Sequence, residues 1–187
     1  MSGIPEKTLT PSAGQTIGPF FRFGLEYDRM NEVAFPHSEG AILVKGVLYD
    51  AEGSPIPDGL IEIFGADSDG SVPRERGSLA RDGFAFTGFG RCMTNDWGEF
   101  RFWTRNPGSV KGEAPFFATV VYARGLPNKL HTRIYLPEEP ERLAADPLLS
   151  SLDEAERATL VATRDAAGNL SHDIRLQGDG ETVFLQY

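Results

Sequence analysis

A chain of 187 residues with 40% hydrophobic and 11% aromatic content is long enough for one domain with a continuous core. Its formal net charge of -9 opposes binding to nucleic acid or to an anionic membrane surface, and no basic cluster offsets that repulsion. The single cysteine, Cys92, excludes an intramolecular disulfide and fits a small buried apolar residue.

The segment 1–15, MSGIPEKTLTPSAGQ, lacks the apolar stretch of a signal peptide, and the longest nearly apolar run, 116–123, is too short to span a bilayer. A cytoplasmic location is the expectation. Residues 1–40 show little periodicity but hold Phe20, Phe21 and Phe23 beside Gly and Pro. Linkers are polar, so this segment reads as an arm that packs on a partner chain, with the domain proper at 41–187.

From residue 41 the pattern turns to strands and tight turns. Residues 42–49 alternate around Gly46, a turn follows at 57–59, and 60–64 forms a second strand beside the first. The stretch 71–90, rich in Arg, Gly and Phe, reads as a long ordered loop. Residues 91–94 and 100–104 flank the turn Asn95-Asp96-Trp97-Gly98 and predict a hairpin, with Phe100 and Phe102 on one face and Arg101 and Trp103 on the other. Strands at 117–122 and 129–136 come next. One helix is predicted at 152–162, opened by Ser151 and Glu154 in capping-box register. Short strands at 174–176 and 182–185 close the chain. Strands at this spacing predict an all-β, two-sheet sandwich with long loops and one short helix.

Candidate chemistry is sparse. His37, His131 and His172 lie far apart with no metal-binding spacing. There is no Gly-x-Ser-x-Gly elbow, and Gly88-Phe89-Gly90 lacks the strand and helix that a phosphate loop needs. The suggestive pattern is at 129–134. Period-two alternation puts Lys129, His131 and Arg133 on one strand face, a concentration of positive charge in an acidic chain. That face is either an anion site or a solvated surface. Arg133 is the best candidate of the three, because a planar guanidinium grips a carboxylate through two hydrogen bonds.

Several stretches together resemble the intradiol ring-cleavage dioxygenases: 11–21 (PSAGQTIGPFF), 60–67 (LIEIFGAD), 88–98 (GFGRCMTNDWG), 106–108 (NPG), 123–125 (ARG), 130–135 (LHTRIY) and 173–184 (DIRLQGDGETVF). They run in family order from near the first residue to the last. The match is nearer to the metal-free α-type chains of the hetero-oligomeric members. The resemblance implies a β-sandwich and cleavage of protocatechuate (3,4-dihydroxybenzoate) by O2 to 3-carboxy-cis,cis-muconate, a step of aromatic degradation. The implied cofactor is a non-haem ferric ion, Fe(3+), held by two tyrosinates and a His-x-His pair of a homologous β chain. At the matching positions this sequence has Val72, Val110, Phe116 and Ala118, none of which offers a metal a lone pair. The chain alone is therefore expected to be inactive, and the αβ unit to repeat in a larger oligomer. The resemblance further implies that Thr16, Gly18, Pro19 and Arg133 approach the substrate. Rival readings are a self-sufficient catechol-type dioxygenase, a degenerate scaffold or regulatory subunit, and a free-standing ligand-binding sandwich.

Overall fold

The computed structural model describes residues 15, 16, 18, 20–74, 81, 82 and 85–186. The strands are β1 (Ala41–Tyr49), β2 (Leu60–Phe64), β3 (Phe89–Met93), β4 (Glu99–Arg105), β5 (Phe116–Tyr122) and β6 (Leu130–Tyr135). Two short helices, α1 (Pro140–Ala145) and α2 (Glu154–Ala158), precede three two-residue strands, β7 (Thr163–Arg164), β8 (Leu170–Ser171) and β9 (Ile174–Arg175). One sheet runs β4-β1-β8-β7 with β9 also on β1, and the other runs β3-β2-β5-β6. This is the all-β sandwich that the strand spacing predicts.

The main core lies between the sheets. Val44 and Leu48 of β1 with Phe100 and Phe102 of β4 meet Ile61 and Ile63 of β2, Phe117 and Val121 of β5 and Ile134 of β6. The inward residues of β1 and β4 alternate strictly with outward ones, so each strand drives one apolar face from water, at about 1.5–3 kcal/mol per large side chain. A second cluster of Ala114, Tyr135, Leu149 and Leu160 is joined by Phe116, Leu143 and Leu148. It covers the outer end of β5 and β6 with the α1–α2 segment.

Several expectations are corrected. The strands at 42–49 and 60–64 are not neighbours, since β1 and β2 belong to opposite sheets. The hairpin expected across 91–104 is instead an arch. Its turn forms, with Gly98 N–H donating to Asn95 O at 2.9 Å, but β3 pairs with β2 and β4 pairs with β1. β3 turns Gly90 and Cys92, and β4 turns Phe100 and Phe102, toward the space between the sheets, and each strand ends the order of its own sheet. The helix expected at 152–162 is shorter, and its capping box is Asp153 with Glu156. Leu152 is extended, at φ -100° and ψ 153°, which stops a helix from starting at Ser151. The helix α1 was not expected. It buries no side chain, so it carries no apolar stripe to read. Residues 182–185 form no strand, only a single bridge from Leu185 to His131. Of the expected 71–90 loop, residues 75–80, 83 and 84 lie outside the described residues, and Phe89 and Gly90 belong to β3.

Candidate functional site

Two loops meet at the end of β2 and β5. After β2 the chain turns at Asp67, whose carbonyl accepts from Gly70 N and from Gly108 N, both at 2.9 Å. Gly70 has φ +84°, and a Cβ there would lie 2.2 Å from Ser109 O; a Cβ on Gly108 would lie 2.4 Å from Gly70 N. Only glycine allows backbone to rest on backbone in this way. Arg105 adds an ion pair to Asp67 at 3.3 Å. The contact holds Val72, just past the first turn, close to Val110, just past the second.

Phe116 and Ala118 project from β5 on its outward side, opposite the buried Phe117 and Thr119. Together Val72, Val110, Phe116 and Ala118 line one pocket of about 230 Å³, with Phe64, Ala66 and Ala114 adding apolar wall and Glu113 a carboxylate. Four positions spread over 47 residues of sequence, which the resemblance equates with metal-ligand positions, thus share one cavity. Alkyl and phenyl groups donate no electron pair, and one carboxylate is too few for a first-row ion. Among the described residues no group of three or more His, Cys, Asp and Glu lies close enough to hold a metal. The side chains of this pocket do not fit a ferric ion.

Arg133 lies next to this pocket, opposite Ala118 in the β5–β6 ladder. Its guanidinium stacks over Phe116, 4.1 Å from the ring centroid, and its Nη1 donates to Tyr135 Oη at 2.8 Å. Among the described residues no carboxylate comes within ion-pairing distance of Arg133, whereas Arg91 is engaged by Glu62 at 2.6 Å. Tyr135 Oη in turn donates to Asp146 Oδ1 at 3.0 Å. Burial, with the Asp146 charge adding to it, pushes the Tyr135 phenol up to about 12 against the lowering influence of Arg133, so Tyr135 keeps its proton at neutral pH. His131 and Lys129 do not line the pocket. His131 offers its carbonyl to Leu185 N at 2.7 Å, and Lys129 is exposed.

The arm is tied to the sandwich from residue 25 onward. Arg91 Nη1 donates to Leu25 O at 2.8 Å, Arg81 Nη2 donates to Tyr27 Oη at 3.1 Å and to Met30 O at 3.2 Å, and Val33 and Ala34 donate to Trp103 O. Before it Phe20 and Phe23 stand 76% and 69% exposed. Thr16 and Gly18 are exposed and do not line the pocket, and Pro19 lies outside the described residues. Sequence reasoning missed Tyr135 and Asp146. Tyr135 shares the period-two face of Arg133, which was the available signal.

A two-layer sandwich that carries a pocket at its loop end defines the class. A family model described as Dioxygenase matches residues 27–115. The dioxygenase domain of a dioxygenase–carbohydrate-binding fusion from Streptomyces sp. SirexAA-E superposes with a TM-score of 0.62 at 23% identity, over 91% of this chain and 98% of that one. The protocatechuate 3,4-dioxygenase alpha chain of Burkholderia cepacia is 36% identical over 195 residues, covering 95% of this chain and 98% of the relative. That of Pseudomonas putida is 33% identical, covering 98% and 100%. The chain belongs to the intradiol ring-cleavage dioxygenase family, in the branch of the protocatechuate 3,4-dioxygenase alpha chains.

Proposed function

We propose that this chain is the iron-free half of an αβ intradiol dioxygenase and completes the substrate pocket of a homologous partner chain. The observation that carries the reading is the apolar filling of the pocket by Val72, Val110, Phe116 and Ala118 beside an arginine with no ion-pair partner among the described residues. In this reading the partner chain holds Fe(3+), and the substrate is protocatechuate, cleaved by O2 between its two hydroxyl-bearing carbons. Arg133 receives the ring carboxylate, which supplies local positive charge in a chain of net charge -9. Thr16, Gly18 and Pro19 of the arm approach the substrate at the partner's iron site rather than this chain's own pocket, and the exposed Phe20 and Phe23 pack on the partner. The αβ unit repeats in a larger oligomer in the cytoplasm.

Iron content and the visible spectrum test the division of labour, measured on this chain alone and after co-expression with a β-type partner. Iron with a tyrosinate-to-iron absorption in the complex only is the expected result. Stoichiometric iron in the lone chain sinks the proposal and sends the search to its own His and Tyr residues.

A further inference from the structure

A carboxylate clamp works only if its guanidinium is held in place before the substrate arrives, because an unrestrained arginine loses rotamer freedom on binding. Two contacts restrain Arg133. The Phe116 ring fixes the plane of the guanidinium from one side, 4.1 Å away, and Tyr135 Oη fixes its rotation within that plane by accepting from Nη1 at 2.8 Å. The Nε and Nη2 edge of the fork makes no hydrogen bond among the described residues.

The hydroxyl that does this is itself oriented. Its proton is committed to Asp146 Oδ1 at 3.0 Å, so a lone pair of Tyr135 Oη faces Arg133. Asp146 Oδ1 also accepts from Leu148 N at 3.0 Å and Leu149 N at 3.2 Å, which ties the carboxylate to the turn after α1. Asp146 is 2% exposed, and its second oxygen is buried with no partner. Leaving a buried carboxylate oxygen unbonded is costly.

Arg91 shows what a purely structural arginine looks like in the same sheet. Its Nε and Nη2 both donate to Glu62 Oε1, at 2.8 and 2.6 Å, which occupies the fork edge and neutralises the charge. At Arg133 the carboxylate is set one residue back, behind a tyrosine. The guanidinium is held by a chain ending in a negative charge, yet it keeps its own charge and a free edge.

We propose that Tyr135 and Asp146 are positioning residues for Arg133: the Asp146–Tyr135–Arg133 chain presents an open guanidinium edge to the carboxylate of an aromatic substrate. The inference rests on the reading of Arg133 as a substrate clamp. Tyr135→Phe removes one oxygen and keeps the ring in its cluster. Asp146→Asn keeps an acceptor for Leu148, Leu149 and Tyr135 but removes the charge.

Both variants, with Arg133→Leu beside them, are assayed in the complex with the β-type partner on 3,4-dihydroxybenzoate and on catechol, which lacks the carboxylate. Tyr135→Phe is expected to raise KM for 3,4-dihydroxybenzoate by about three- to tenfold, the effect of one hydrogen bond, with kcat and the catechol KM unchanged. Asp146→Asn is expected to shift KM the same way by less, and it carries the test if Tyr135→Phe fails to assemble. Equal effects on both substrates mark a structural role and overturn the positioning role. So does a carboxylate-selective loss in Arg133→Leu alone, which leaves the clamp standing. No selectivity in Arg133→Leu overturns the clamp and this inference with it.

Discussion

Arg133 lies over Phe116, its guanidinium 4.1 Å from the ring centroid. The phenyl group has two physical effects at once. It offers a metal no electron pair, and it supplies a flat π-face on which a cation rests, worth about 0.5–2 kcal/mol depending on desolvation. The apolar pocket and the charged group beside it are coupled through that ring.

Arg133→Leu in the assembled complex should therefore raise KM for 3,4-dihydroxybenzoate by about ten- to a hundredfold, the effect of a charge-assisted bidentate contact. KM for catechol should stay within a few-fold. Steady-state kinetics on the two substrates decide it, and parallel losses on both would end the clamp reading. Phe116→Leu keeps the volume roughly and removes the π-face, so it should give a smaller loss with the same selectivity.

Gly70 offers a test of the loop contact that brings Val72 to Val110. An alanine there meets Ser109 O at 2.2 Å in a backbone at φ +84°, so both strain and a clash oppose it. Gly70→Ala should cost about 2–3 kcal/mol and lower the melting temperature by roughly 4–12 °C. Gly112 is the control, with φ +85° and nothing within 4 Å of an added Cβ. Gly112→Ala should cost about 1 kcal/mol, the backbone term alone. Equal melting shifts in the two variants would mean that the loop contact contributes nothing.

The alternation in 42–49 and 100–104 was enough to say which side chains of β1 and β4 face the core, because period two reports face directly. It could not report partners. β3 and β4 are joined by a tight turn, yet pair with β2 and β1 in different sheets, and a turn motif is the same for a hairpin and for an arch. The helix signal was two residues early for a similar reason: Ser151–Glu154 and Asp153–Glu156 both have cap spacing, and the extended Leu152 decides between them. At the site, Arg133 stood out as a charge on a strand face. Asp146 did not, because its relation to Arg133 runs through Tyr135 and the turn that follows α1.

Arg91 ties the arm to the β3-β2-β5-β6 sheet, bonding Glu62 at one end and Leu25 O at the other. The pair is largely buried, with side-chain exposures of 16% and 15%. Arg91→Leu leaves Glu62 uncompensated and should destabilise the fold by about 2–4 kcal/mol. It should also speed proteolytic cleavage on the N-terminal side of Met30. Adding Glu62→Leu should restore much of the stability but none of the protection, because the bond to Leu25 O is still missing. Full protection in the double variant would show that the arm is held by other contacts.

His172 is 5% exposed, its Nε2 is buried without a partner, and burial pulls its pKa down to about 4 from an ordinary value of 6.5. The unfolded chain therefore takes up a proton on this imidazole near pH 6.5, while the native state refuses it until about pH 4. More protons bind to the unfolded state in that window, so stability falls as pH drops through it and stops falling on this account below it. The full loss is about 3 kcal/mol. Carboxylates held below their usual values, such as Glu138 beside Arg164, lose their contribution only at lower pH, below about 4.5. Urea titrations at intervals from pH 7 to pH 4.5 isolate the histidine. His172→Gln should flatten the slope in that range, and an unchanged slope would assign the acid sensitivity to other groups.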